Sequence, residues 1–137
     1  RNLKRFGLTE AIRNMTEQIE SATGVTFERK LENIDGFFPD EAELSIYRIV
    51  QECLNNIIKH SESPRGRVSI TRIDDTVSIV IADYGKGFAT KQYFEADGQA
   101  RGFGIRSVMQ RVRLLGGEIG IESRDSEGTQ IRIRLRK

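Results

Sequence analysis

Gln51-Glu52-Cys53-Leu54-Asn55-Asn56-Ile57-Ile58-Lys59-His60 is the stretch on which the reading of this chain turns. It closes a helical pattern that opens at Pro39 and runs to His60; proline is well placed near a helix start. Leu44, Tyr47, Val50, Leu54, Ile57 and Ile58 make its apolar stripe. Glu52, Asn56 and Lys59 recur at i, i+4 and i+7, so at ~100° per residue they fall within roughly 60° of one another, opposite that stripe. A polar stripe is ordinarily a solvated face. Two features argue for more here. Asn55 and Asn56 sit mid-helix although asparagine is a poor helix-interior residue, and the only histidine of the chain, His60, ends the same stripe. A carboxylate, an amide oxygen, a lysine and a histidine together could hold a metal-bound phosphate chain.

Downstream, Ser61 to Gly66 with Pro64 breaks the helix, and two strands follow, Arg67 to Ile73 and Val77 to Ala82, joined by a turn at Asp74-Asp75-Thr76. From Asp83 to Gly104 the sequence carries Gly85, Gly87, Gly98, Gly102 and Gly104 without periodicity. Such a long loop in a compact domain is usually functional. Asp83-Tyr84-Gly85-Lys86-Gly87-Phe88 begins it directly after an apolar strand, where an Asp can accept a hydrogen bond from an amino group and glycines allow close backbone approach. Gly102-Phe103-Gly104 ends it at the start of a helix from Ile105 to Leu115, where exposed N–H groups favour phosphate. Taken singly, each is an ordinary glycine turn. Gly116-Gly117 stops the helix, and strands Glu118 to Ser123 and Thr129 to Leu135 finish the chain. No GxxxxGK[ST] and no GxGxxG occurs, which sets aside the P-loop and dinucleotide-binding fingerprints.

Upstream, Leu8, Ala11, Ile12, Met15 and Ile19 predict a helix over Leu8 to Ile19, with Gly24 ending the region, and Val25 to Leu31 alternates as a strand. The order is helix, strand, long helix, two strands, glycine loop, helix, two strands. It predicts an α/β (α+β) two-layer sandwich, with a mixed, mainly antiparallel sheet and helices on one face.

The 137 residues suit one domain with a real core. Twenty-two Lys and Arg against twenty Asp and Glu leave a net charge of +2, too even to argue for nucleic acid. The single Cys53 permits no internal disulfide. No apolar run approaches the ~20 residues that span a bilayer, and no signal peptide is visible. The chain starts at Arg1 rather than Met, so it reads as a fragment or a processed chain.

In order and placement the motifs resemble the GHKL ATPase superfamily, shared by type II topoisomerases, heat-shock-ninety chaperones, histidine kinases and mismatch-repair ATPases. Residues 51–60 look like its N box, and the ending Asn56-x-x-Lys59-His60 has the form of NarX/DesK-like sensor histidine kinases. Asp83-x-Gly85-x-Gly87-Phe88 resembles the first glycine box, Gly102-Phe103-Gly104-Ile105 through Leu115-Gly116-Gly117 the second with its helix, and Gly128-Thr129 the last. Phe103 and Ile105 stand where leucine is commoner. Phe6-Gly7-Leu8 and Ala11-Ile12 resemble the linker before such a domain, which assigns residues 1–20 to linker and first helix within a single ATPase domain, 1–137.

The resemblance implies a Bergerat-type fold that binds ATP with Mg²⁺. Asn56 would ligate the metal. Glu52 would orient or deprotonate the attacking group, and Lys59 and His60 would touch phosphates. Asp83 would take the adenine amine with Thr129 behind it. Gly85 and Gly87 would shape the pocket, and residues 89–101 would form a lid hinged at Gly102 and Gly104. The reaction implied is phosphoryl transfer to a histidine on a separate dimerisation and phosphoacceptor domain of the same protein, with a response regulator downstream. The chain itself would lack that acceptor, since His60 belongs to the N box. The domain would be cytoplasmic with no membrane contact, whether or not its parent is membrane-anchored, and would bind no nucleic acid. Three other readings stand beside this one: a GHKL anti-sigma serine kinase, a degenerate ATP sensor, and a nucleic-acid-binding module using Arg132, Arg134, Arg136 and Lys137. For the last, a solvated sheet edge or face is the better account of the cations, since the net charge is small.

Overall fold

A computed structural model describes residues 6–61, 64–85, 105–124 and 128–137. Residues 89–101, expected as a lid, and the glycines at 87, 98, 102 and 104 lie outside the described residues, as do residues 1–5 and the side chains of Lys59 and His60.

Helix α1 spans Leu8–Thr23, one turn longer than the sequence pattern indicates. Leu8, Ala11, Ile12 and Met15 bury one face. Gly24 ends it in the left-handed region at φ 80°, its N–H reaching the Glu20 carbonyl at 2.9 Å, a conformation that costs glycine nothing. No side chain at Gly7 caps the other end. Asp35 does so from 26 residues away, its Oδ1 accepting the Thr9 N–H at 2.8 Å, while Thr9 Oγ1 accepts the Ile34 N–H at 3.0 Å.

Strand β1, Thr26–Leu31, leads through a short turn to α2, Asp40–Ser61, which carries Asp40, Glu41 and Glu43 in its first turn, the favourable end for negative charge. β2, Arg65–Ile73, and β3, Thr76–Asp83, form a hairpin whose tight turn puts Asp74 at φ 55°, which an aspartate tolerates better than most residues. Helix α3, Ile105–Leu114, precedes a second hairpin, β4, Glu118–Arg124, with β5, Gly128–Arg136.

The five strands lie in the order β1-β2-β3-β5-β4. Only β1 and β2 are parallel, with α2 as the crossover between them, and the other three ladders are antiparallel. Period-two alternation gives the sheet two faces. Val68, Ile70, Val77, Ile79, Ile81, Ile131, Ile133 and Leu135 face the helices and are buried. Arg67, Arg132, Arg134 and Arg136 face outward and are exposed. The expected two-layer sandwich is what forms.

One expectation needs correction. The buried stripe of α2 consists of Ile46, Ile49, Val50, Cys53 and Leu54, whereas Leu44 and Tyr47 are only partly covered. At ~100° per residue this turns the core face by roughly 70° toward Glu52 and Asn56. The polar stripe therefore borders the core instead of opposing it. β5 is an interior strand between β3 and β4, so of the edge or face expected for its arginines they take the open face. Two of them meet carboxylates, Arg134 with Glu118 at 3.6 Å and Arg136 with Asp75 at 3.8 Å.

Candidate functional site

Asp83 is the last residue of β3, on the core side of the sheet, and is only 3% exposed. Its Oδ1 accepts the Gly85 N–H at 2.8 Å. Its Oδ2 is buried with no hydrogen-bond partner among the described residues. A carboxylate oxygen can only accept, and leaving one unmet in the interior is costly, so Oδ2 is a fixed acceptor suited to a ligand N–H. Burial pushes the Asp83 carboxyl above the ordinary aspartate range; backbone N–H groups of Gly85 and Thr129 pull it part of the way back.

β5 begins beside this carboxylate. Gly128 has φ 92°, and a Cβ there would collide with the Asp83 carbonyl oxygen and lie 3.0 Å from its carbon and 3.1 Å from Tyr84 Cα. Glycine is thus the residue that lets β5 start against the end of β3. Thr129 is buried, and its hydroxyl lies 3.0 Å from Ser123 Oγ of β4. Asp83, Tyr84, Ser123, Gly128 and Thr129 line a cavity of about 290 Å³, close to the lower size of small-ligand pockets. At its rim the Tyr84 hydroxyl donates to Glu28 Oε1 at 3.2 Å, and the Arg65 guanidinium lies 5.0 Å from the Tyr84 ring centre.

A second group sits on α2, which packs on β3 and β5 and against α3. Glu52 and Asn56 are one turn apart, and each buries an unpartnered polar atom, Oε2 of Glu52 and the side-chain nitrogen of Asn56. The two ends of an amide are interchangeable in assignment, so this position can equally present an oxygen. The other Glu52 oxygen, Oε1, lies 3.4 Å from Ser107 Oγ and 3.6 Å from Arg111 Nε, both on α3.

Residues 41–137 match the family described as histidine kinase-, DNA gyrase B-, and HSP90-like ATPase. The chain belongs to this family. Among curated relatives it is 32% identical over 136 residues to the signal transduction histidine-protein kinase/phosphatase DegS of Bacillus subtilis, covering 97% of this chain and 35% of that protein. It is 26% identical over 134 residues to the oxygen sensor histidine kinase NreB of Staphylococcus carnosus, covering 98% and 38%. The chain thus spans about a third of the length of these relatives. Its fold superposes on the blue-light activated histidine kinase of Erythrobacter litoralis with a TM-score of 0.79 at 19% identity, over 94% of this chain and 41% of that one.

Of the residues singled out from sequence, the structure of this ATPase domain gathers Asp83, Gly85 and Thr129 at one strand end and sets Glu52 with Asn56 on one helix turn. The backbone of Lys59 and His60 continues α2, while Gly87, Gly102 and Gly104 fall outside the described residues. Sequence reasoning missed Tyr84, Ser123, Ser107 and Arg111. Tyr84 could have been suspected from its place between Asp83 and Gly85. The others meet their partners only through the fold.

The raised Asp83 carboxyl has consequences with a definite sign. Because folding raises this acid's pKa, its protonated form adds stability at low pH, and that contribution is lost as pH rises through the folded value. Accepting an N–H from a ligand requires the ionised form. ADP affinity should therefore weaken as pH falls through the upper carboxylate range, starting at higher pH than an ordinary aspartate would set. Calorimetric titration of wild type and Asp83→Asn at matched pH values isolates this from protonation of the phosphates. The difference between the two should shrink as pH falls; a constant difference refutes the assignment.

Proposed function

We propose that the chain is the ATP-binding catalytic domain of a sensor histidine kinase, passing the γ-phosphoryl group of ATP to a histidine on a separate dimerisation domain. The observation that supports it best is the pairing of a buried unpartnered acceptor at Asp83 with buried unpartnered polar atoms at Glu52 and Asn56, within a chain whose relatives over 97–98% of its length are named histidine kinases. In this reading Asp83 takes the adenine amine through Oδ2, with Thr129 beside it and Gly85 shaping the pocket. Glu52 faces the attacking group. Lys59 and His60, with the backbone of Gly87, Gly102 and Gly104, serve the phosphates, and residues 89–101 close over them.

The residues fit a Mg²⁺ ion as the accompanying metal. Among the described residues no group of three or more His, Cys, Asp or Glu could hold a metal ion, so a closed protein cage is not on offer. Mg²⁺ needs only one or two protein oxygens and completes its shell with water and phosphate, and the Asn56 amide supplies one. The ion would neutralise charge developing on the transferred group. Asn56→Ala should accordingly lose most of the Mg²⁺ enhancement of ATP-analogue binding and keep its Mg²⁺-free binding. Equal enhancement in both proteins, by titration with and without the metal, counts against the ligand role.

No described helix is long and apolar enough to cross a membrane, and an ATP-consuming reaction places the domain's work in the cytoplasm. A response regulator is the proposed downstream partner. The transfer itself is tested with γ-labelled ATP. This chain alone should stay unlabelled, because its one histidine is His60, and an added dimerisation domain should take the label. Acid-labile, base-stable label on this chain, lost in His60→Gln, would overturn the proposal.

A further inference from the structure

We infer that Arg111, seconded by Ser107, is a positioning residue that fixes which oxygen of Glu52 faces the reaction; the inference rests on the proposed role of Glu52. Ser107 and Arg111 are one turn apart on α3, so both project toward the same side of that helix. Both converge on a single atom of another helix, Glu52 Oε1, at 3.4 Å from Ser107 Oγ and 3.6 Å from Arg111 Nε. The remaining oxygen, Oε2, is buried with no hydrogen-bond partner among the described residues, as is the Asn56 amide nitrogen one turn farther along α2.

A stray surface ion pair would look different. Exposed pairs typically contribute ~0–1 kcal/mol and hold their partners loosely. Here the side chains of Arg111 and Glu52 are only 35% and 29% exposed, and Arg111 Nε is itself buried with no hydrogen bond closed. A half-buried arginine at a helix–helix contact with its inner nitrogen turned on one carboxylate oxygen contributes little to folding. It does break the symmetry of the carboxylate. With Oε1 held by the Ser107 hydroxyl and faced by the Arg111 guanidinium, the lone pairs left for an attacking group are those of Oε2.

The arrangement also explains a pattern along α3. Ile105, Val108 and Val112 are its core residues, and Ser107 and Arg111 flank them on the side toward α2. The helix that packs the core thus also carries the residues that orient Glu52.

In the simplest reaction open to this domain, a water oxygen bonds the γ-phosphorus of ATP while the bond to the β–γ bridging oxygen breaks. The water proton passes to Glu52 Oε2, and ADP and phosphate leave. Arg111 touches neither nucleotide nor water and acts only through Glu52. Its removal should lower turnover while leaving ATP binding as it was.

The test is release of labelled phosphate from γ-labelled ATP by this chain, followed to obtain kcat and KM, with thermal melting as a control on folding. Glu52→Gln should lose ~100-fold in kcat, the scale of a general base. Arg111→Gln should lose ~10-fold in kcat with KM unchanged. Arg111→Lys should recover most of that, and Ser107→Ala, the mildest change to the fold, should lose about 2- to 3-fold. The decisive measurement is the double variant. If Arg111 works through Glu52, adding Arg111→Gln to Glu52→Gln should change kcat by less than ~2-fold, because residues acting as a unit are not additive. Wild-type kcat in Arg111→Gln, or an undiminished ~10-fold loss on the Glu52→Gln background, overturns the inference alone. Absent wild-type turnover, or turnover unchanged by Glu52→Gln, overturns the reading of Glu52 itself.

Discussion

Gly128→Ala should cost the fold about 3 kcal/mol or more and abolish adenine-nucleotide binding at concentrations that saturate the wild type. Two effects add. At φ 92° a side chain forces the backbone into a region that costs ~1–3 kcal/mol outside glycine. The new methyl group also meets the Asp83 carbonyl oxygen inside van der Waals contact, with Asp83 C at 3.0 Å and Tyr84 Cα at 3.1 Å. These neighbours are backbone atoms in a sheet and cannot rotate away, so overpacking adds ~1–3 kcal/mol more. For a domain of this size the midpoint of thermal unfolding should fall by roughly 10 °C. Relief of the clash can only push apart the ends of β3 and β5, which dislodges Asp83 from its place beside Thr129. Calorimetric melting and ADP titration check the two halves separately. A stable variant with wild-type affinity would show that the contact between Gly128 and Asp83 does not seat the carboxylate.

Asp83→Ala should leave the fold standing and weaken ADP binding by ~10- to 150-fold, the equivalent of the ~1.5–3 kcal/mol attached to a hydrogen bond with a charged partner. The fold should tolerate the change because Asp83 ends its strand and its carboxylate meets only the backbone N–H groups of Gly85 and Thr129 among the described residues, while Ile79 and Ile81 keep β3 in the core. Unaltered affinity by calorimetry would remove Asp83 from the proposed adenine site.

The architecture was legible where local chemistry decides it. Gly24 and Gly116 stop helices because only glycine takes φ 80° and 73° without strain, and the strands show plain alternation between Val68 and Ile70 or Ile131 and Ile133. The face of α2 was misjudged for a physical reason. This helix packs against α1, α3 and two strands, so apolar residues cover a broad arc. Leu44 and Tyr47, which fit a helical period, lie at its margin, whereas Ile46 and Cys53 are completely buried. In the candidate site, Asp83 and Asn56 were picked out because motif and position agree. Arg111 was not, since its partner Glu52 lies fifty-nine residues earlier and only the packing of α3 on α2 joins them. Ser123 was hidden likewise until the β4–β5 hairpin set it opposite Thr129.

The strand order has a consequence for the order in which the molecule can be made. The β2–β3 and β4–β5 hairpins pair neighbours in sequence, but the β3–β5 ladder joins Ala82 to Gln130 and Thr76 to Arg136, and pairings this distant are the slow ones to close. Asp83 and Gly128 stand at the end of that late ladder. A chain that has both hairpins but has not zipped them together holds most of its secondary structure but lacks the proposed seat for a base. If the proposed site holds, nucleotide affinity should therefore report assembly of the two halves rather than the presence of either one. A ligand bound there would favour the finished sheet by mass action.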